Sequence, residues 1–288
     1  MEVSLMAIKV VTDSTSYIPL ELRNRYDISV VSLGVNFGSE NYDEEDIDNE
    51  TFYDKLKKYK ELPKSSQPAP LGLYNLFEEL VSQGHSVVGI FLSSEMSGTY
   101  SNAMIAKEMI LKRYPNATIE IIDSRSNCME LGFPVIAAAK AAHEGKLFEQ
   151  ILSIANDIIS KSRFLFVPQT LEYLQKGGRI GGAAAFLGSI LKIKPILTVV
   201  DGKTAVFGKV RTLSRAVTTI IDTFLKDAKE KGLGEVVVHH INCMAEGMKL
   251  AERIEESLKI SVPVYPIGPV IGLHVGPGAL GVAYYTKN

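Results

Sequence analysis

Short runs rich in Val and Ile alternate with longer amphipathic stretches through the first half of this chain, and that alternation narrows the fold more than any other feature. "IKVVTDS", "ISVVSLGVNF", "SVVGIFLSS" and "TIEIIDS" are short and β-branched enough for buried strands. Between them "IDNETFYDKLKKYK", "LGLYNLFEELVSQG" and "GTYSNAMIAKEMILKRYP" carry apolar residues at helical spacing, the second closed by Gly84 and the third by Pro115. A β-α-β-α order predicts an α/β fold with a parallel sheet and helices on both faces. In such sheets ligands gather beyond the carboxyl ends of the strands, so the loops there are the first place to seek a site.

The second half differs. "KPILTVVDGKTAVFGKVRT" reads as two extended runs joined by Asp201-Gly202, a hairpin signal. A helix over about 212–232, the strand "EVVVHHIN", a helix near 244–259, "VPVYPIG" and a terminal strand "GVAYYT" complete a mixed-sheet α/β region. We expect two domains, 1–162 and 163–288, with the boundary after the helix "LFEQILSIANDIISKS" and a ligand cleft between them.

Composition removes several function classes. The net charge of -2 gives no global attraction to nucleic acid or to an anionic membrane. The longest apolar runs fall short of the roughly 18–20 residues of a membrane helix, and the start "MEVSLMAIKVV" does not read as a secretory signal, so a cytoplasmic location is expected. Cys128 and Cys243, far apart and outside any C-x-x-C, predict reduced core residues. The histidine spacing suggests no metal, and no cofactor is expected.

Three first-half strands end in small polar clusters: Asp13-Ser14-Thr15, Ser93-Ser94 with Ser97-Gly98-Thr99, and Asp123-Ser124 with Ser126. A fourth, "SSQP" from Ser65, precedes a helix. Any one of them can be a plain helix or turn cap, but several at one sheet edge could hold an anionic headgroup through hydroxyls and helix-end amides. Ser97 is expected to cap the following helix, and Gly98 to let a ligand approach the backbone. A serine nucleophile is disfavoured because G-x-S-x-G is missing. His85, His143, His239 and His240 read as surface or strand-end residues. His274 stands in a nearly uncharged stretch, either as a core histidine bonded to a carbonyl or as a residue that meets a ligand's polar end.

"HVGPGALG" contains a literal G-x-G-x-x-G at Gly276, Gly278 and Gly281. A dinucleotide fingerprint links a strand to a helix and has an acid about 20 residues on. Here only "VAYYTKN" follows, a strand without an acid, so the glycines predict tight turns or close backbone approach and not NAD.

Taken together and in this order, "VTDSTSYIP", "SSQP", "SSEMSGTYSNA", "IIDSRS", "LEYLQKGGRIGG", "LKIKPIL" and "HVGPGALG" resemble the bacterial DegV family along essentially the whole chain. The resemblance implies a two-domain α/β protein that holds one long-chain fatty acid between its domains. It further implies a carrier subunit that presents the acid to a separate fatty acid kinase, which makes acyl phosphate from ATP. The lack of a Walker A sequence agrees with a subunit that performs no phosphoryl transfer itself.

Carried over by motif, Ser97 corresponds to the family serine that bonds the carboxylate, and Ser65 to a position where relatives often have threonine. His274 matches the histidine near the carboxylate, and Arg179 of "KGGRI" an arginine of the same region. Lys209 and Arg211 of "GKVRT" resemble basic positions that engage the kinase, unless they are simply solvated hairpin charges. For the acyl chain, "GGAAAFLGSILKIKPIL" offers Phe186, Leu187, Ile190 and Leu191, although a buried core helix explains most of that stretch, and "RFLFVP" offers Phe164 and Phe166. The alternatives are an enzyme in its own right, either an acyl-ester hydrolase or a small-molecule kinase of the related dihydroxyacetone kinase fold, and a regulatory protein with a structural lipid.

Overall fold

The computed structural model of the chain describes residues 7–59, 61–187 and 193–288. The first half runs β1 (Ile8–Asp13), α1 (Leu20–Tyr26), β2 (Ile28–Val31), β3 (Gly34–Phe37), β4 (Glu40–Asp43), α2 (Asn49–Lys58), β5 (Lys64–Ser66), α3 (Pro70–Ser82), β6 (Ser86–Phe91), α4 (Thr99–Arg113), β7 (Ile119–Asp123), α5 (Cys128–His143) and α6 (Phe148–Lys161). The second continues with β8 (Ser162–Val167), α7 (Glu172–Lys176), β9 (Lys194–Val200), β10 (Lys203–Val210), α8 (Leu213–Lys231), β11 (Leu233–His240), α9 (Met244–Leu258), β12 (Val264–Pro266), α10 (Pro269–Val275) and β13 (Leu280–Thr286).

Because strand side chains alternate, a strand buried on both faces must be apolar at consecutive positions. β1 does this: Val10 belongs to a core shared with α5, and Val11 to a core shared with α3 and α4. The neighbouring Val88 and Val87 of β6 divide in the same way. The resulting sheet is wholly parallel, in the order β2-β1-β6-β7, with helices on both faces as the alternation predicts.

The second sheet is mixed, in the order β10-β9-β8-β13-β11-β12, with β11 and β12 its parallel pair. Asp201 and Gly202 both adopt positive φ and join β9 to β10 as an antiparallel hairpin. Leu165 and Val167 of β8 face a core built with α8 and α9. The alternate residues Phe164 and Phe166 face the other way, into the core that contains α5 and α6 of the first half. This inner face of the mixed sheet is the floor on which the site is built.

Two expectations need correction. "ISVVSLGVNF" is not one strand: it breaks after Val31, and β3 leaves the parallel sheet to form an antiparallel ribbon, β4-β3-β5. The ribbon carries "KSS", so Ser65 lies on a strand paired with Val35 and not in a loop. Gly181–Phe186 is a 3₁₀ turn, largely exposed, where a buried core helix was the simplest reading. Its run of small residues gives no apolar stripe wide enough to bury. Among the described residues no helix is long and apolar enough to cross a membrane.

Candidate functional site

Four separate segments converge on one cavity of about 300 Å³: β5 with its "SSQP" sequence, the loop entering α4, the loop leaving α7, and α10. They bring Ser65, Ser97, Gly98, Arg179 and His274 to its lining. The volume lies at the lower end of the range for small-molecule sites, roughly 300–1,000 Å³.

The polar end is organised around His274. Its Nε2 lies 2.8 Å from the Ser65 hydroxyl, whereas its buried Nδ1 has no hydrogen-bond partner. Burial, with the nearby Arg179 charge adding to it, pushes the ring down to about 4, so the imidazole is neutral at physiological pH. An orphaned N–H is costlier inside a protein than an orphaned lone pair, which selects the tautomer with its proton on Nε2. His274 therefore donates to Ser65 Oγ, and the Ser65 hydroxyl is free to donate in turn.

Ser97 does not cap α4 as expected. Gly98 is the cap residue, and the Ser97 hydroxyl stands just before it, accepting from Thr99 N–H at 3.3 Å and 2.9 Å from Thr99 Oγ1. A side chain at 98 would run into Gln67, since a Cβ there would sit 1.9 Å from its Oε1. Arg179 donates through Nε to Met96 O and through Nη1 to Gly177 O, at 3.1 and 2.7 Å. Its Nη2 has no protein partner among the described residues. The arrangement offers an anion a charged guanidinium edge, hydroxyls and the amino end of a 15-residue helix.

Beyond this end the lining is apolar. Phe164 and Phe166 stack with ring centroids 5.0 Å apart and line the cavity with Ile241, Val270 and Ile271. Gly281 of β13 makes this possible, because a Cβ there would lie 2.6 Å from the Phe164 ring and 2.8 Å from Phe166 Cβ. Gly276 holds φ +88° beneath the Tyr173 ring and turns the chain out of α10. The literal G-x-G-x-x-G is thus a turn followed by a strand over which two aromatic rings lie.

Among the lining residues that sequence reasoning missed, one is a histidine. His239, read as a strand-end residue, is fully buried and lines the cavity. Its Nε2 accepts from Met129 N–H at 3.1 Å and its Nδ1 donates to Tyr265 O at 3.0 Å, while burial pushes it down to about 4. Strand alternation could have placed it beside Val237 on the inner face, but an imidazole on an apolar face gives no sign of the two backbone groups it serves.

Other candidates lie elsewhere. Phe186 and Leu187 do not line the cavity: Phe186 packs half-buried with the Lys209 ammonium 5.9 Å from its ring, and Leu187 is 39% exposed. Ile190 and Leu191 lie outside the described residues. Lys209 and Arg211 are exposed at the outer hairpin. Two of the polar clusters turn inward. Asp13 accepts from Thr15 N–H, Thr15 Oγ1 and Leu92 N–H at 2.5–3.0 Å, and Ser124 and Ser126 bond locally, the latter to Glu130. Ser93 donates to Gly202 O at 2.7 Å and ties the hairpin to the first half.

Comparison with known proteins follows the same geometry across the chain. The model of the family described as "Uncharacterised protein, DegV family" matches residues 7–287. A DegV domain-containing protein of Clostridium acetobutylicum is 54% identical over 98% of this chain and 99% of its own length. The crystal structure of DegV from Bacillus subtilis, described as a fatty acid binding protein, is 37% identical with a TM-score of 0.89, covering 98% of this chain and all (100%) of that one. A structure described as a stearic acid-binding protein from Eubacterium ventriosum is 28% identical with a TM-score of 0.89, covering 97% and 98% of the two chains. With a family match that spans nearly every residue and close relatives over their full lengths, the chain belongs to the DegV family.

Proposed function

We propose that this protein binds one long-chain fatty acid in the cavity, with the carboxylate at Ser65, Ser97, Gly98, Arg179 and His274 and the acyl chain along Phe164 and Phe166. The observation that carries this reading is the cavity's polarity, with anion-complementary groups at one end and an apolar floor beyond. Each buried methylene contributes about 0.8 kcal/mol, so the floor supplies affinity and the polar end supplies orientation. Relatives described as fatty acid-binding proteins support the ligand class. We read the chain as two domains, 1–162 and 163–288, that enclose this ligand.

Native mass spectrometry of the purified protein, followed by solvent extraction, tests the ligand. A single adduct that extracts as a C14 to C18 fatty acid is the expected result. A bare mass together with no uptake of added palmitate would rule the reading out.

The 2.8 Å contact between Ser65 and His274 invites a second reading, an acyl-ester hydrolase. Two features weigh against it: His274 Nδ1 has no carboxylate to orient it, and the tautomer assigned from that orphaned nitrogen places on Nε2 the proton a general base would have to accept. Absence of p-nitrophenyl ester turnover above background is therefore expected in the same preparation.

The carrier reading also includes delivery of the bound acid to a separate ATP-dependent fatty acid kinase, with Lys209 and Arg211 meeting the partner. Their exposure at the hairpin supports this assignment. Reversing both charges (Lys209→Glu, Arg211→Glu) should slow acyl phosphate formation with the kinase by roughly tenfold while leaving palmitate affinity unchanged. An unaltered rate would remove these residues from the interface.

A further inference from the structure

α10 is only seven residues long, yet every one of them is buried, and it supplies Val270, Ile271, His274 and Val275 to the cavity lining. Its N-terminal amides are not bonded by its own cap: Gly268 offers no side chain, and Pro269 has no N–H. The bonds come from the opposite end of the sequence. Glu44 Oε1 accepts from Val270 N–H at 2.8 Å across 226 positions. The Tyr17 hydroxyl accepts from Ile271 N–H at 3.2 Å and donates to the same Glu44 oxygen at 2.8 Å. Ser14 Oγ donates to the other carboxylate oxygen at 2.5 Å.

Glu44 is itself buried, so these bonds replace water as its solvent. On one side the clamp borders a cavity of about 430 Å³, but against Gly268 its packing is tight. A Cβ on Gly268 would lie 2.8 Å from Glu44 Oε1 and 2.7 Å from the Tyr17 ring. None of these groups lines the ligand cavity. The two clamped amides nevertheless lie three and four residues before His274, one helical turn away, so a slide or rotation of α10 is transmitted to the imidazole without loss.

We propose that Glu44, backed by Tyr17, is a positioning residue that clamps the first turn of α10 and thereby fixes His274 against Ser65. The effect on ligand rests on the fatty acid reading of the cavity; the effect on the imidazole does not. With the clamp in place, His274 Nε2 has one partner at one distance. Without it, α10 keeps its apolar contacts but loses the side chains that, among the described residues, hold its N-terminal amides, and the contact with Ser65 is no longer enforced. In the sequence Tyr17 stands within "VTDSTSYIP" and Glu44 in an acidic run outside any motif, and nothing there links either of them to residues 269–275.

The test uses the full-length protein with Glu44→Ala, Glu44→Gln, Tyr17→Phe and Gly268→Ala, read in two ways. The first is the ¹H–¹⁵N spectrum of the histidine side chains in ligand-free protein, with His274 assigned by its loss in His274→Gln. The second is palmitate affinity by titration calorimetry. The wild type should show His274 as a single Nε2–H tautomer. Glu44→Ala and Gly268→Ala should broaden or split that signal and weaken palmitate by roughly tenfold or more. Glu44→Gln keeps a carbonyl acceptor for Val270 and Tyr17, so it should restore the single tautomer and most of the affinity, an outcome that loss of general stability does not produce. Should Glu44→Ala fail to fold, Tyr17→Phe decides, because it removes one hydroxyl and should disturb the same signal to a lesser degree. An unchanged His274 signal in Tyr17→Phe and Gly268→Ala, or equal disturbance in Glu44→Ala and Glu44→Gln, overturns the clamp. If the wild type fails to bind palmitate while the His274 signal still responds as described, the fatty acid reading falls and the positioning role stands.

Discussion

Combining Ser97→Ala with His274→Ala should weaken palmitate binding by roughly 100-fold or more while leaving the fold in place. The size follows from the ligand's charge: a hydrogen bond to an ionised group contributes about 1.5–3 kcal/mol, and each 1.4 kcal/mol is a factor of about ten. Ser97 is removed directly. Loss of His274 acts twice, because it takes away both the imidazole and the donor that holds the Ser65 hydroxyl in its orientation. Arg179 stays and still attracts the carboxylate, so binding should weaken without vanishing. Far-ultraviolet dichroism and a urea midpoint close to wild type would establish that the fold survives. Wild-type affinity in the folded double variant would mean that the carboxylate sits elsewhere.

The second large effect concerns pH. Burial pushes Glu44 up to about 7, the bonds from Ser14, Val270 and Tyr17 opposing it and the neighbouring Asp13 charge adding to it. Glu44 therefore binds its proton more tightly in the native than in the unfolded chain. Its stabilising contribution is complete below the ordinary glutamate range and is lost as the pH rises through 7. Glu130, also raised to about 7 by burial, and Asp13, raised to about 6, act with the same sign. His239 and His274, both lowered to about 4, act with the opposite sign, contributing fully above the ordinary histidine range and losing that contribution as the pH falls through 4.

Comparison with Glu44→Gln reports on Glu44 together with its coupling to Asp13, since the other buried acids and histidines are present in both proteins. Between pH 5 and pH 8 the wild type should lose about 2 kcal/mol of unfolding free energy relative to the variant, because roughly 1.4 kcal/mol disappears for each step of one in pH over which the native chain alone holds the proton. Urea melts of the two proteins across that range provide the measurement. Parallel curves would show that Glu44 does not change its protonation on unfolding in this window.

The sequence carried the skeleton well wherever one strand faces two cores. Val10-Val11 and Val87-Val88 are legible because consecutive apolar residues have no other use in a short strand. The hairpin was legible because Asp201-Gly202 accepts the positive φ that it requires. The ribbon β4-β3-β5 was not: "ENYD" and "KSS" are polar strands held by backbone bonds, with no apolar alternation to reveal them.

At the candidate site, the hydroxyl clusters of the sequence could not separate Ser97, which lines the cavity, from Ser126, which bonds Glu130. Both are small polar residues that follow a strand. The difference lies in which neighbour reaches the hydroxyl first, and that is decided by tertiary packing. Glu44 and His239 were invisible for the related reason that their partners lie far away in sequence, backbone groups for His239 and a backbone amide with two hydroxyls for Glu44.

β13 has one more consequence. It lies in the middle of the mixed sheet, between β8 and β11, although it comes after both in the chain. While the protein is being made, β8 and β11 each wait with one unpaired edge until residues 280–286 are available, and at roughly 5–20 residues per second that exposure lasts for seconds. The parallel sheet of residues 8–123 faces no such delay. Nascent chains should therefore recruit chaperones late in translation and over the second half, and the cavity, which Leu280 and Gly281 help to line, is complete only once β13 is in place.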